Sequence, residues 1–184
     1  MDKRQEAMMN AKSNIDAKLT NYRILFTLDV QGQGIYYFRQ ISSDKGTFFE
    51  LKDKTCEITY VDFVNNIGYE LDGDEKCGES FPLEPVEAFK GLAFHTAGHL
   101  LFLYEGAKDS MVKVGKEKVL GRDTTSYVHT FSNGEMKFWI DDEYGLALKY
   151  EQTGEYRTTM CVTEFTVGGV TVEDIIDLDE YEIT

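Results

Sequence analysis

The pair Asn133-Gly134, set between two alternating runs, constrains this chain more than any other feature. A type I′ turn demands two consecutive residues at positive φ, and it joins antiparallel strands through a two-residue loop. Such a loop places Phe131 opposite Met136, His129 opposite Phe138 and Tyr127 opposite Ile140. A longer turn over Asp141–Gly145 leads on to Leu146, Leu148 and Tyr150. One side of the ribbon Thr124–Tyr150 is then almost wholly apolar or aromatic. The other carries Ser126, Thr130, Glu135, Lys137, Asp141, Lys149 and Glu151, with Val128 and Trp139 as exceptions. A one-residue slip would mix the two faces, which specifies the register.

The same alternation runs through the rest of the chain. Tyr22, Ile24, Phe26, Leu28 and Val30 alternate with Arg23, Thr27 and Asp29. Strands over Ile35–Ser42, Thr47–Leu51, a fourth with Ile58 and Tyr60 on one face, and a fifth from Tyr69 follow through short turns. That spacing predicts an antiparallel meander. Met111–Val114 and Lys116–Leu120 open a second block, and Tyr156–Val167 reads as a long strand ending at Gly168-Gly169. Residues 3–20 read as a helix whose stripe is Met8, Ala11, Ile15 and Leu19. Short covering helices are expected near 85–94 and 97–104, where Pro85 suits a first helical turn. The acidic tail reads as a surface strand or extension, with partner docking as the alternative. The fold class is mainly β (α+β), and with no repeat or linker the chain reads as a single domain over 1–184.

A formal net charge of −14 argues against nucleic acid and against an electrostatic hold on anionic lipid. No apolar run is long enough for a transmembrane helix. The polar start, Met1-Asp2-Lys3-Arg4, leaves two readings: a cytoplasmic protein, or one whose export signal has been removed.

Motifs of chemistry are weak. His95 and His99 lack the zincin glutamate, because Thr96 follows the first histidine. His129 lies between Tyr127 and Phe131 on the apolar face, where histidine is most often a satisfied core group. Asp72-Gly73-Asp74-Glu75 is a solvated turn rather than a calcium loop, whose glycine and final glutamate are replaced by Cys77 and Leu83. No metal or cofactor motif is present, so the reading is non-enzymatic, with His129 or His99 as the residues an enzyme would use. Three cysteines admit two readings. All three are buried thiols, or a hairpin around Asn65–Gly68 sets Cys56 against Cys77 as a cross-strand disulfide and leaves Cys161 free.

What rises above background is apolar surface on strands, as in Ile35-Tyr36-Tyr37-Phe38 and Phe138-Trp139-Ile140. A curling sheet with such surplus hosts lipidic ligands, and a core filled by these side chains is the alternative. The succession Gly121-Arg122-Asp123, Tyr127-Val128, Gly134, Phe138-Trp139-Ile140-Asp141, Gly145-Leu146 and Leu148-Lys149-Tyr150 resembles the central pattern of lipoprotein-localisation-factor-like proteins. These include the periplasmic lipoprotein carrier, its outer-membrane acceptor, mycobacterial lipid-carrying lipoproteins and an anti-sigma-factor regulator. The resemblance implies a curved antiparallel half-barrel with an N-terminal helix, short covering helices and a hydrophobic cavity. It implies a bacterial, exported, cell-envelope or extracellular domain, often held to the membrane through an N-terminal lipid anchor. The ligand expected is an acyl chain, lipid or lipoprotein segment. The residues expected to line the cavity are Phe26, Leu28, Tyr37, Tyr60, Phe138, Ile140 and Leu148. A sensory or protein-interaction domain of the same fold, with no transported ligand, is the rival reading.

Overall fold

The computed structural model describes Leu19 and residues 21–83, 110–171 and 176–184. Among the described residues twelve strands follow one another: β1 (Tyr22–Val30), β2 (Gly34–Ser42), β3 (Gly46–Lys52), β4 (Cys56–Asp62), β5 (Ile67–Asp72), β6 (Cys77–Pro82), β7 (Val112–Val119), β8 (Arg122–Phe131), β9 (Gly134–Asp141), β10 (Ala147–Thr153), β11 (Thr158–Val167) and β12 (Glu182–Ile183). Their hydrogen-bonded order is β12-β6-β5-β4-β3-β2-β1-β11-β10-β9-β8-β7. The mainly β class expected from the alternation therefore holds. The expected helices over 3–20, 85–94 and 97–104 lie outside the described residues. Among the described residues no helix is long and apolar enough to cross a membrane.

The chain divides into two compact units. The meander unit holds Thr20–Phe26, Tyr36–Ala93 and Glu164–Thr184. Strands β2 to β6 pair in succession, each antiparallel to the next. One face is a core of Ile41, Phe48, Cys56, Ile58, Tyr60, Leu71 and Val170. Ile176, Leu178, Tyr181 and Ile183 pack against it, so the acidic tail is part of the fold. Gly168 and Gly169, both at positive φ, make the turn into this segment. Asn21 holds the turn, donating from its side-chain nitrogen to the Val170 carbonyl (2.8 Å) and accepting from the Val170 N–H (3.0 Å). β12 then pairs with β6 in parallel, which departs from the all-antiparallel expectation.

The cysteine pairing is corrected here. Asp62 Oδ1 accepts from the backbone of Val64 (2.8 Å) and Asn65 (3.0 Å), and Asn66 takes a positive φ. The loop is therefore 63–66, earlier than the expected Asn65–Gly68, and Asp62 pairs with Ile67. Cys56 lies on β4 and Cys77 on β6, with β5 between them. All three cysteines are free, Cys56 buried and Cys77 and Cys161 half-buried. Burial, reinforced by Glu50, pushes the Cys56 thiol up to about 11.

The hairpin unit holds Met1–Leu19, Thr27–Ile35 and Phe94–Thr163. Strands β7 to β11 again pair in succession. Met111–Val114 and Lys116–Leu120 fall largely on one strand, interrupted only by a bulge between Lys113 and Gly115. The register around Asn133-Gly134 differs by two residues from the expected one: Phe131 pairs with Gly134, His129 with Met136, Tyr127 with Phe138 and Thr125 with Ile140. The loop is therefore Ser132-Asn133, and Gly134 belongs to the strand. Its glycine answers a different need: a Cβ there would sit 2.0 Å from the Thr153 carbonyl oxygen. A slip of two keeps every side chain on its face, so the expected faces survive the change. The pair of positive φ values that a type I′ turn needs occurs one hairpin earlier. There Val119 pairs with Arg122, and the two loop residues, Leu120 and Gly121, have φ 54° and 75°.

Candidate ligand-binding face

In the meander unit, the face opposite the core is graded from apolar to acidic. On β2, Phe38 and Gln40 point away from Tyr37, Arg39 and Ile41 by strand alternation. Register extends two rows from them. One runs Gln40, Phe49, Thr59, Glu70, Glu79, and the other runs Phe38, Leu51, Glu57, Asp72, Cys77, Glu182. Aromatic and aliphatic groups gather toward the start of each row, and carboxylates at its end.

The apolar end is an aromatic ladder. Phe26 stacks on Phe38 with centroids 4.7 Å apart and planes 8° from parallel. Phe38 tilts against Phe49 at 5.9 Å. Phe26 is buried, whereas Phe38, Phe49 and Leu51 are half-buried. Gln40 lies among them with only 1% of its surface exposed. Its Nε2 donates to the Tyr22 hydroxyl at 3.2 Å, and its Oε1 has no hydrogen-bond partner among the described residues.

The acidic end opens into a hollow of about 760 Å³ lined by residues that include Glu57, Glu70, Asp72, Glu79 and Glu182. Glu57 stands directly across from Asp72, and Glu70 from Glu79. Like charges set opposite one another destabilise a sheet, so this end is electrostatically unfavourable as it stands. Asp72 also shapes the turn before β6, its Oδ1 accepting from the N–H groups of Asp74 and Glu75, both at 2.8 Å.

The residues expected to line a cavity are distributed as follows. Phe26 belongs to the graded face. Tyr37 and Tyr60 belong to the opposite one: Tyr60 is in the core, stacked on Tyr69 at 5.6 Å, and Tyr37 is 56% exposed. Burial pushes the Tyr60 phenol up to about 12. Leu28, Phe138, Ile140 and Leu148 fall in the hairpin unit. There Phe138 packs on Tyr150 at 4.9 Å, Leu148 sits at a bulge, and both are fully buried, whereas Leu28 and Ile140 are half-buried. Sequence reasoning passed over Gln40 and Tyr22. The signal for Gln40 was an uncharged polar residue within the aromatic run of β2.

The motif that carried the family resemblance is a structural cassette of the hairpin unit. Gly121 completes the turn between β7 and β8. Arg122 donates to the buried Asp141 through Nε (2.6 Å) and Nη2 (3.3 Å), reaches Glu143 at 2.7 Å and lies over the Tyr144 ring. Asp141 Oδ1 also accepts from the backbone of Glu143 (3.1 Å) and Tyr144 (2.7 Å). Trp139 is clamped between Lys137 and Lys149, whose ammonium groups sit 4.2 and 4.4 Å from its ring centre.

His129 Nδ1 is 2.9 Å from Ser110 Oγ. A serine–histidine contact needs an oriented base and oxyanion donors to become a nucleophile. Neither residue lines the acidic hollow or the smaller one at Gly121, Arg122 and Asp141–Glu143. His95 and His99 lie outside the described residues. Among the described residues no cluster of metal-ligating side chains occurs.

The sequence matches no protein-family model and no curated protein. Solved structures do match. The Pseudomonas aeruginosa MucA/MucB complex contains a chain similar to this one, with a TM-score of 0.58 at 14% identity over 97% of this chain and 62% of that one. A crystal structure of MucB gives 0.52 at 14% identity, over 94% and 62%. A Thermus thermophilus structure described as an uncharacterized conserved protein gives 0.54 at 9% identity, over 97% and 98%. This chain thus spans about three fifths of the matched chains in the two Muc structures. At these identities the likeness is one of fold.

Proposed function

We propose that this chain is a non-enzymatic, exported, single-domain binding protein of lipoprotein-localisation-factor type. Its ligand is an acyl chain, lipid or lipoprotein segment, held in the cavity of a curved half-barrel. The observation that carries this reading is the Phe26–Phe38–Phe49 ladder, a run of rings in contact of which Phe38 and Phe49 are left half-buried on a sheet face. Covering such surface gains about 25 cal/mol per Å² removed from water, with no reaction chemistry required. Phe26, with Phe38 and Phe49, is the proposed lining in the meander unit. Tyr37, Tyr60, Leu28, Phe138, Ile140 and Leu148 remain proposals to be tested singly. The acidic half of the same face agrees with the lack of an electrostatic hold on nucleic acid or anionic headgroups.

A second reading is favoured by one finding: a structure of similar fold is a complex of two proteins, MucA and MucB. On that reading the graded face docks a protein segment in the cell envelope and carries no lipid. Native mass spectrometry after mild extraction separates the two. A co-purifying lipid, together with uptake of a fluorescent fatty alcohol, supports the ligand carrier. A bare mass with no uptake removes that reading and leaves the interaction domain.

A further inference from the structure

Strand β6 leaves one border of the meander core uncovered. Its positions on the core side, read from register, are Gly78 opposite Leu71 and Ser80 opposite Tyr69. Neither carries a side chain large enough to cover its neighbour. Leu71 leans into the space instead, for a Cβ at Gly78 would sit 2.6 Å from Leu71 Cδ2. Pro82, which has no N–H, ends the strand and suits the edge of a sheet. Together these residues make a shallow groove with Leu71 and Tyr69 as its apolar wall, beside a backbone edge that can pair. Peptides that add to a sheet use such grooves: ladder bonds hold the chain, and pockets take alternate side chains.

Segment 176–184 fills the groove in cis. Glu182 N–H donates to the Lys76 carbonyl (2.9 Å), Thr184 N–H to that of Gly78 (3.1 Å), and Ser80 N–H to that of Thr184 (3.0 Å). Leu178, Tyr181 and Ile183 lie against the core. Lys76 Nζ is 3.1 Å from Glu180 and 4.7 Å from the centre of the Tyr181 ring. The hold is slight all the same. No residue of 176–184 is fully buried. Its strand pairing with β6 covers two residues, Glu182 and Ile183. The Lys76–Glu180 side chains are 47% and 61% exposed, so water screens the pair and it contributes little.

We propose that this groove is a docking site for an extended segment of a partner protein, and that residues 176–184 are its exchangeable resident. The partner's chemistry follows from the resident's. It runs parallel to β6 and places an aliphatic residue beside Gly78. An aromatic residue lies two positions before that one, and a carboxylate for Lys76 precedes the aromatic. The site stands apart from the graded face, whether or not that face takes a lipid.

The test uses the full chain. In native-state hydrogen exchange, the Glu182, Thr184 and Ser80 amides should exchange roughly tenfold or more faster than those of the β4–β5 ladder, with little dependence on denaturant, as local opening requires. A fluorescein-labelled peptide with the sequence of residues 176–184 is then titrated by anisotropy. Wild type should bind it weakly, because the resident competes at an effective concentration on the order of millimolar. Tyr181→Ala combined with Ile183→Ala loosens the resident and should raise peptide affinity by about tenfold or more. Adding Lys76→Met should reverse roughly two- to threefold of that gain, the worth of an exposed ion pair. A peptide with serine in place of Tyr181 and Ile183 should not bind. Segment amides as protected and as denaturant-dependent as the β4–β5 ladder, equal peptide affinity for wild type and double variant, or binding of the serine peptide each overturns the inference. A wild-type dimer that excess peptide dissociates overturns the partner assignment in favour of a second copy.

Discussion

Replacing Asp141 by alanine gives a quantitative test of the cassette that the resemblance rests on. The Asp141 side chain is 1% exposed and collects four hydrogen bonds, two from Arg122 and one each from the backbone of Glu143 and Tyr144. Removing one partner of a buried ion pair costs roughly 3–5 kcal/mol, because the remaining charge stays desolvated. Arg122 is 26% exposed and keeps Glu143, so water and the second carboxylate recover part of that. The expected loss is therefore about 3 kcal/mol, at the lower bound. Asp141→Asn keeps an acceptor for the two backbone donors but loses the charge, and should cost roughly half as much. Arg122→Leu strands a carboxylate that still has its backbone donors, at about 2 kcal/mol. The double variant should cost well under the sum, with a coupling of at least about 1 kcal/mol. Urea unfolding followed by the fluorescence of Trp139, the chain's one tryptophan and a resident of the same unit, measures all four proteins. A cost below about 1 kcal/mol for Asp141→Ala, or strict additivity in the double variant, would show that the pair does not hold this turn.

Four further outcomes are expected. Leu120→Asn should stabilise the chain by about 1 kcal/mol in thermal melts, since Leu120 is held at φ 54° in a turn that asparagine tolerates. Gly134→Ala should destabilise by about 3 kcal/mol, because the added methyl meets the Thr153 carbonyl oxygen and backbone cannot yield; a cost near zero in urea unfolding would refute this close approach. Burial raises the phenols of Tyr60 and Tyr150 to about 12, so the folded state holds those protons longer. Their stability contribution is complete below pH 10, the ordinary value, and is lost as pH rises through about 12; tyrosinate absorbance should lag accordingly, and Tyr150→Phe should flatten the alkaline fall. Mass-resolved alkylation at pH 8 should modify Cys77 and Cys161 well before Cys56, which is buried and raised to about 11, and a reductant should leave the melting temperature unchanged.

How far the fold could be read in advance depended on which interaction decided each feature. Alternation placed β1, β2, β3 and β11 within a few residues, since burying one face of a strand is a local matter of period two. Turn chemistry was less reliable. Asn133-Gly134 carried the stronger signal, yet Leu120-Gly121 adopts the positive φ pair. Gly134 is instead claimed by a non-local constraint, the close approach of Thr153 on β10, which no window around residue 134 displays. Cys56 and Cys77 were misplaced for a related reason. Asp62, by accepting two backbone N–H groups, started the loop two residues earlier than expected and turned a cross-strand pair into residues two strands apart. The parallel β12 depended on a long return path after Gly168-Gly169, and sequence spacing does not encode where such a path ends.

The proposed face was legible in composition but not in arrangement. Aromatic surplus on β2 was plain in the sequence, and Phe26 joins that aromatic group through its stack on Phe38. Which aromatics share a face depends on register, and register placed Tyr37 and Tyr60 on the other side from Phe26. Gln40 shows why polar groups inside such a face repay separate scrutiny. Hydrophobic contacts along the ladder would tolerate many ring arrangements, because apolar attraction has no direction. A single amide acceptor does have one, and its cost without a partner is as large as a side-chain methylene or two. On the proposed ligand reading, affinity follows from the area of the rings on this face, of which Phe38 and Phe49 are half-buried.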